Sequence, residues 1–165
     1  MLIKQQITIR EATPQEDSLI AKHFYYMWRD IGVSDDAINP NWLEITLQYI
    51  EQARRDLFYK AFVAEVDGAV VGSASCQLYS GLYPNILMPQ YRKYGYIWGV
   101  YVELSYRRQG IAKQLTSATV NHLKEIGCTR VRLDASAMGQ PVYESLGFCS
   151  GNAMQLDLID TAFIP

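Results

Sequence analysis

The sequence predicts a single α/β domain in which strands and helices alternate along a chain of 165 residues. Two observations carry this prediction. Residues 58–76 contain two apolar segments separated by Asp67-Gly68, the pattern of a β-hairpin. Farther along, a strand pattern over 96–102 gives way to a helical pattern through a short turn that contains Gly110. With 49% apolar residues the chain can bury one sizeable core, so we expect one domain over residues 1–165.

The N-terminal part is predicted to form one strand followed by two helices. Ile7–Arg10 alternates apolar and polar residues, as a half-buried strand does. Thr13-Pro14-Gln15-Glu16 is a capping box with proline at the first helical position, and it predicts a helix that runs to about Asp30. Asn39-Pro40 is a second cap, and it opens a predicted helix over 42 to about 55.

The middle of the chain is predicted to supply three strands, a long loop and the longest helix. The hairpin gives strands over 58–66 and 69–76. Residues 79–95 are rich in Tyr, Pro, Gly and Asn, so we expect a substrate-side loop there. The fourth strand covers 96–102, and the third helix follows from 111 to about 127.

The C-terminal part completes a prediction of six strands and four helices. Residues 130–135 are expected to form the fifth strand, 140–146 a short fourth helix, and 154–158 a closing strand. On the third helix, Ile111, Leu115 and Leu123 fall on the same side, so that helix is predicted to cover a sheet.

Composition excludes several classes of function. A formal charge of -2 gives no broad basic surface, so we expect no nucleic-acid partner. The three cysteines lack a Cys-x-x-Cys pair, and the two histidines lack metal-ligand spacing, so no metal is expected. Neither a signal peptide nor an apolar run of membrane length is visible, which predicts a cytoplasmic protein with no membrane partner.

The turn Arg107-Arg108-Gln109-Gly110-Ile111-Ala112 joins the fourth strand to the third helix. A helix start leaves backbone N–H groups unpaired and carries partial positive charge, so it stabilises an anion. Gly110 permits close approach of the backbone, and Arg107, Arg108 and Lys113 add cationic donors. The turn is therefore interpreted as a phosphate-binding loop, with an ordinary connecting loop as the alternative.

Residues 102–112 resemble the acyl-CoA signature of the GNAT superfamily of N-acetyltransferases, Arg/Gln-x-x-Gly-x-Gly/Ala after a central strand. Residues 133–148, which end in Tyr143-Glu144-Ser145-Leu146-Gly147-Phe148, are similar to that family's later strand-helix segment, and 9–14 resemble its opening. The resemblance implies a mixed, largely antiparallel sheet of about six strands flanked by four helices and splayed between strands four and five. It also implies acetyl-CoA as cosubstrate.

The resemblance further implies roles for individual residues. Backbone groups of Tyr101 and Val102 would pair with the pantetheine arm, and backbone amides from Arg108 to Lys113 would receive the pyrophosphate. The implied cofactor-binding positions are Tyr101, Val102, Arg107, Arg108, Gln109, Gly110, Ile111, Ala112 and Lys113.

Tyr143 stands at the family's tyrosine position and is the expected catalytic acid, because a phenol can protonate a departing thiolate. The alternative is a packed tyrosine whose hydroxyl only orders the sulfur of coenzyme A. Since an alkylamine is mostly protonated at neutral pH, a general base is also expected. Glu103 is the candidate by position, followed by Glu65, Asp134 and Tyr79.

An aromatic group in and after the long loop has two open interpretations. These rings either line an acceptor pocket or pack the loop against the sheet. The group comprises Tyr79, Tyr83, Tyr91, Tyr94, Tyr96 and Trp98.

The predicted function is transfer of an acetyl group from acetyl-CoA directly to a primary amine, in a small molecule or a peptide, through a ternary complex. The first alternative is a non-catalytic acyl-CoA sensor that kept the cleft. The second is a nucleotide-binding protein, although no Gly-Lys-Ser/Thr sequence supports it. The partners expected are acetyl-CoA and the amine, and the protein is expected to be a monomer or a homodimer.

Overall fold

A mixed sheet of five strands organises the protein in the computed structural model, which describes residues 5–159. The strands follow one another across the sheet in the order β1-β2-β3-β4-β5. The first four strands are antiparallel, and β4 and β5 are parallel. Their bounds are β1 Ile7–Glu11, β2 Lys60–Val66, β3 Ala69–Leu78, β4 Tyr94–Val102 and β5 Arg130–Arg132.

Five helices accompany the sheet within the same residues. They are α1 Asp17–Asp30, α2 Trp42–Asp56, α3 Leu82–Asn85, α4 Ile111–Glu125 and α5 Gln140–Glu144. The predicted capping box is confirmed, with the Thr13 backbone N–H donating to the Glu16 carboxylate at 2.8 Å. It opens a single helical turn that leads directly into α1.

Each face of the sheet is covered by helices. Ile111 and Leu115 of α4 pack against Val71 and Ala74, which confirms the predicted buried side of that helix. On the other face α1 and α2 bury Ile20 and Ile50, among others, against β2. Because side chains alternate along a strand, Ala74 and Cys76 of β3 face α4, whereas Ser73, Ser75 and Gln77 face α1 and α2.

The splay predicted between the fourth and fifth strands is present. Tyr94–Tyr96 pairs with Arg130–Arg132, and the pairing ends there. Residues 97–102 of β4 therefore have one edge without a strand partner within residues 5–159. The strands part beyond this point, and we call the gap between the open edge of β4 and the end of β5 the cleft.

Three predicted elements differ from the structure. Residues 154–158 are not a strand, and Met154, Leu156 and Leu158 are exposed, because no neighbouring strand pairs with them within the described chain. The sheet thus has five strands rather than six. The fifth strand ends at Arg132 rather than 135, where the splay begins. The long loop contains the short helix α3. This helix was not predicted, because the loop is rich in turn-forming residues.

Candidate active site

A β-bulge shapes the open edge of β4. Ser73 pairs with Tyr101 and Ser75 with Trp98, so two steps along β3 match three steps along β4. Gly99 occupies the left-handed region with φ 65°, which favours glycine at this position. A bulge interrupts the ladder and leaves backbone groups unpaired. The interruption lies in the part of β4 that has no partner on the β5 side.

The register separates the backbone roles of Tyr101 and Val102. The Glu103 N–H donates to the Val71 carbonyl at 2.8 Å, and hydrogen-bonded pairs alternate along an antiparallel ladder. The backbone groups of Tyr101 are therefore directed toward Ser73 of β3, and those of Val102 away from β3. Of the two residues expected to meet the pantetheine arm, Val102 presents its backbone to the open edge.

The predicted phosphate loop follows one helical turn after β4. Arg108 and Gly110 both have positive φ, 65° and 80°, and Gly110 is the residue before the first turn of α4. Within residues 5–159, none of the six backbone N–H groups from Arg108 to Lys113 donates to a backbone carbonyl. Consecutive free N–H groups in such a conformation form an anion-binding concavity. A concavity of this kind can accept an anionic group.

The Arg107 side chain is directed away from this concavity. Its Nε donates to the Val102 carbonyl at 2.7 Å, and its guanidinium is paired with the Asp30 carboxylate at the end of α1. The same guanidinium lies over the Tyr101 ring, 5.5 Å from its centroid. Arg107 thus joins α1, β4 and the loop, whereas the exposed side chains of Arg108 and Lys113 have no carboxylate partner within residues 5–159.

Tyr143 lies half-buried on α5, where burial raises the pKa of its phenol above the ordinary value. Its ring packs edge-on against Phe148 at 6.0 Å. A Cβ at Gly139 would lie 3.0 Å from the Tyr143 ring, so a glycine at this position leaves room for the ring. The hydroxyl makes no hydrogen bond to another described residue. The phenol is therefore neutral near neutral pH and able to donate a proton.

The two carboxylates considered as bases lie in different surroundings. Glu103 directly follows β4, is half-buried, and forms no ion pair among residues 5–159. Asp134 lies just beyond β5 at the start of the splay and accepts a hydrogen bond from the Tyr96 hydroxyl at 2.7 Å. Burial, together with this bond, raises the pKa of Tyr96. Asp134 therefore places a carboxylate across the cleft from β4.

The aromatic group divides between the two interpretations. Tyr79, Tyr96 and Trp98 lie on the sheet face toward α1 and α2, with Tyr79 and Tyr96 edge to face at 6.3 Å. Tyr94 is buried at the base of the cleft, where Arg92 and Arg130 donate to its hydroxyl. Tyr83 and Tyr91 are exposed, although loop packing would have buried them.

The comparisons with known proteins address the family of the chain. The family model described as "Acetyltransferase (GNAT) family" matches residues 11–148. The protein belongs to the GNAT acetyltransferase family. The matched range begins at the last residue of β1 and includes the cleft, the predicted phosphate loop and Tyr143, and the predicted resemblance is confirmed. The expectation of an acetyl-CoA-dependent N-acetyltransferase is confirmed at the level of the family.

Two relatives of this GNAT chain have assigned names. One, from Trypanosoma brucei brucei, is named glucosamine 6-phosphate N-acetyltransferase and is 34% identical over 110 residues, 64% of this chain and 69% of the relative. The other, from Sulfurisphaera tokodaii, is named N-alpha-acetyltransferase and is 34% identical over 91 residues, 53% of this chain and 54% of that protein.

Solved structures show the same GNAT fold. A GCN5-related N-acetyltransferase from Ralstonia eutropha JMP134 matches with a TM-score of 0.77 at 24% identity, over 93% of this chain and 99% of that one. A predicted acetyltransferase with acetyl-CoA from Clostridium acetobutylicum matches with a TM-score of 0.75 at 24% identity, over 93% and 97% of the two chains.

The face of the sheet beneath α1 and α2 carries a buried polar row that sequence reasoning missed. Ser73, Ser75 and Gln77 are buried on β3 and bind groups from α1, the start of β2, α2 and β4. The pairs are His23 Nδ1 with Ser73 Oγ at 2.8 Å, Tyr59 hydroxyl with Ser75 Oγ at 3.0 Å, and Gln77 with the Tyr49 hydroxyl at 2.7 Å and Trp98 Nε1 at 3.0 Å. In the sequence these polar residues alternate with Ala74 and Cys76, and this alternation is the signal from which the row could have been predicted.

Residues 5–159 of the GNAT chain lack two kinds of feature. No three His, Cys, Asp or Glu side chains are grouped there so as to hold a metal ion. No helix in that range has the length and apolar character needed to cross a membrane.

Proposed function

We propose that this protein binds acetyl-CoA along the open edge of β4 and passes the acetyl group directly to a primary amine that enters the cleft. The observation that carries this proposal is the run of free backbone N–H groups from Arg108 to Lys113, beside an unpaired strand edge. A diphosphate needs convergent N–H donors, and an extended amide arm needs a strand edge. Both features adjoin one another in this cleft.

The amide groups of the pantetheine arm would extend the sheet at β4. The backbone N–H of Val102 faces the cleft, while its carbonyl accepts from Arg107. The β-bulge around Gly99 leaves further backbone groups near the thioester, where donors for the reaction's developing oxyanion are needed. Tyr101 contributes its ring, which packs on His23 at 5.0 Å.

The chemistry requires a neutral amine and a protonated leaving group. In this proposal, Asp134 or Glu103 removes the proton from the incoming ammonium, either directly or through water. The amine then attacks the acetyl carbonyl, the carbon–sulfur bond breaks, and Tyr143 gives its proton to the thiolate. The second proton that the nitrogen loses on becoming an amide passes to the Tyr143 phenolate and restores the phenol. The raised pKa of Tyr143 keeps that proton in place until the thiolate forms.

The names of the relatives support a nitrogen acceptor. One is named for an amino sugar phosphate, and the other is named as an N-alpha-acetyltransferase. Direct transfer is favoured over a cysteine-bound intermediate, because Cys76 is buried and burial raises the pKa of the Cys76 and Cys128 thiols.

The experiment separates cosubstrate binding from turnover. Calorimetry with acetyl-CoA should give saturable heat, and Gly110→Glu should weaken that binding at least tenfold by placing a carboxylate where the diphosphate is received. Thiol release is then measured with amino sugars, polyamines, amino acids and peptides. Saturable binding together with turnover on at least one amine is expected.

Two outcomes contradict parts of the proposal. If acetyl-CoA gives no heat at millimolar concentration, or if Gly110→Glu leaves its affinity unchanged, the cleft is not the cosubstrate site. If acetyl-CoA binds tightly but no amine is turned over, the protein is an acyl-CoA sensor rather than an enzyme.

A further inference from the structure

Three arginines converge on one buried tyrosine at the base of the cleft. Arg92 and Arg130 donate to the Tyr94 hydroxyl oxygen at 2.6 and 3.2 Å. The Arg132 guanidinium lies 6.0 Å from the Tyr94 ring centroid and 5.3 Å from that of Tyr79. Arg130 and Arg132 are two apart on β5, so they share a face. We call Arg92, Tyr94, Arg130 and Arg132 the arginine cluster.

No carboxylate in the described part of the chain balances the charge of the cluster. Within residues 5–159, none of the three guanidiniums lies within ion-pair distance of a carboxylate, whereas Arg10, Arg54 and Arg107 each have such a partner. Guanidinium groups placed together gain most from an anion that bridges them with charge-assisted hydrogen bonds. Nothing in the described chain supplies that anion.

The Tyr94 hydroxyl adds a donor to the same place. A phenol has one O–H donor and two acceptor lone pairs, and the two arginines occupy the lone pairs. The Tyr94 O–H therefore has its proton to give, and no described residue accepts it. Because Tyr94 is only 7% exposed, this unused donor lies at a largely buried position. An anionic acceptor completes the arrangement.

The cluster belongs to the acceptor side of the cleft. Tyr94 and Tyr96 are two apart on β4, so they share a face at a separation of roughly 7 Å. Tyr96 binds the Asp134 carboxylate, and Arg132 is the last β5 residue paired before the strands part. One face therefore presents cations near Tyr94 and a carboxylate near Tyr96, and these opposite charges suit the two ends of a small zwitterion.

We propose that the arginine cluster binds an anionic group, phosphate or carboxylate, carried by the acceptor at the end remote from its amine. This inference rests on the proposed function, because it names the acceptor class for the same cleft. Asp134 attracts the ammonium end toward the thioester, and Arg130 and Arg132 hold the anionic end. An amine without an anionic group leaves the cluster uncompensated.

The test uses matched acceptors that differ only in the anionic group. One pair is glucosamine 6-phosphate and glucosamine, and the other is 6-aminohexanoate and its amide. With saturating acetyl-CoA, kcat/KM from thiol release should favour the anionic member at least tenfold in one pair or both. The pair with the larger preference tells whether phosphate or carboxylate is the group bound.

Variants of the cluster test whether its arginines cause the preference for the anionic acceptor. Arg132→Gln and Arg130→Gln should each raise KM for the anionic acceptor about tenfold, leave the neutral acceptor unchanged, and leave KM for acetyl-CoA unchanged. Arg132→Lys keeps the charge and should retain part of the preference. The matched control is Arg55→Gln, an exposed arginine on α2 paired with Asp56, which should change nothing.

A binding measurement separates failure of this inference from failure of the enzyme assignment. Calorimetric titration of the protein saturated with coenzyme A should show the anionic acceptor binding more tightly than its neutral pair, and Arg132→Gln should abolish the difference. This result stands even if no amine is turned over. The inference is overturned if both members of each pair bind equally, or if both glutamine variants keep the preference.

Discussion

Arg107 donates to the Asp30 carboxylate, and this ion pair joins the last residue of α1 to the loop that precedes α4. The same guanidinium donates to the Val102 carbonyl at 2.7 Å. One side chain therefore connects a helix beside the acceptor space with the strand and the loop proposed to bind acetyl-CoA. The first arginine of the family signature thus links α1 to β4, and its guanidinium is occupied by Asp30 and the Val102 carbonyl rather than by the proposed diphosphate site.

Loss of the ion pair should weaken binding of acetyl-CoA with little effect on chemistry. Asp30→Asn keeps the side-chain shape but removes the charge, and a half-exposed pair contributes roughly 1 kcal/mol at most. We expect the Kd of acetyl-CoA to rise by about 3- to 5-fold. Arg107→Gln, which also loses the bond to Val102, should raise it further. Calorimetry measures both, and an Asp30→Asn protein with lowered kcat but unchanged Kd contradicts the prediction.

Gly110→Ala should combine a stability cost with weaker binding of acetyl-CoA. Gly110 has φ 80° and open space around its Cβ direction, so the cost arises from backbone conformation alone, about 1 kcal/mol. Gly68, in the β2–β3 turn, has the same φ of 80° and the same open surroundings. Gly68→Ala is therefore the matched control. Urea unfolding should show similar losses for both variants, and only Gly110→Ala should raise the Kd of acetyl-CoA.

Removal of the Tyr143 hydroxyl should lower turnover rather than binding. Tyr143→Phe keeps the packing on Phe148 and removes the proton donor, so kcat should fall by about 100-fold with KM for acetyl-CoA nearly unchanged. Since burial raises the phenol pKa, the neutral acid persists in the native enzyme above pH ~10. Steady-state kinetics measures the split, and a Phe variant with normal kcat shows that the hydroxyl only orders the sulfur.

Variants of the two candidate bases should differ in how their kcat/KM for the amine depends on pH. If Asp134 accepts the proton, Asp134→Asn lowers kcat/KM for the amine by about 100-fold at neutral pH, and the loss shrinks at high pH, where more of the amine is already neutral. Glu103→Gln should then have a smaller effect across the range. The reverse ranking assigns the role to Glu103. Asp36→Asn is the control, because Asp36 is exposed and lies far from Asp134 and Glu103 in the sequence.

The stability of the fold should decline as pH falls below about 6.5. Burial lowers the pKa of His23 to about 4, so the unfolded chain binds a proton that the folded protein resists. Stability is unaffected above the unfolded pKa of about 6.5 and is lost between there and pH 4, by about 3 kcal/mol in total.

His23→Asn should flatten that dependence, measured by urea unfolding at several pH values. Burial also lowers the pKa of His122, so a shallower slope remains in the variant. The Glu16 carboxyl, whose bond to Arg10 lowers its pKa to about 2, affects stability only below pH ~4.5. An unchanged slope in His23→Asn contradicts the prediction.

Features that depend on neighbours in the chain were predictable from the residues. The Thr13 capping box, the Asp67-Gly68 turn and the Gly110 helix start each lie within a few positions, and the structure contains all three. Local backbone preference decides such features. The splay followed from the family resemblance, because strand partners are not encoded locally.

Features that depend on distant residues were wrong or invisible. The alternation over 154–158 is that of a strand, but strand formation also needs a partner, and no described strand lies beside it. Arg107 was expected to add charge to the phosphate site, whereas Asp30, 77 positions away, binds its guanidinium. The sequence ranked Asp134 below Glu103 as a candidate base. Only the structure brings its carboxylate to the opening of the splay, where the Tyr96 hydroxyl donates to it.

The amino-acid sequence alone predicted the family, which the family model confirms, and it indicated the glycine turn proposed to bind phosphate and the tyrosine proposed as acid, since these lie in short segments whose order is readable. Only the tertiary structure decided which strand edge is open, which carboxylate adjoins it, and that three arginines surround Tyr94. The physical reason is that charges act through space. Their partners are set by how the sheet brings β4 and β5 together.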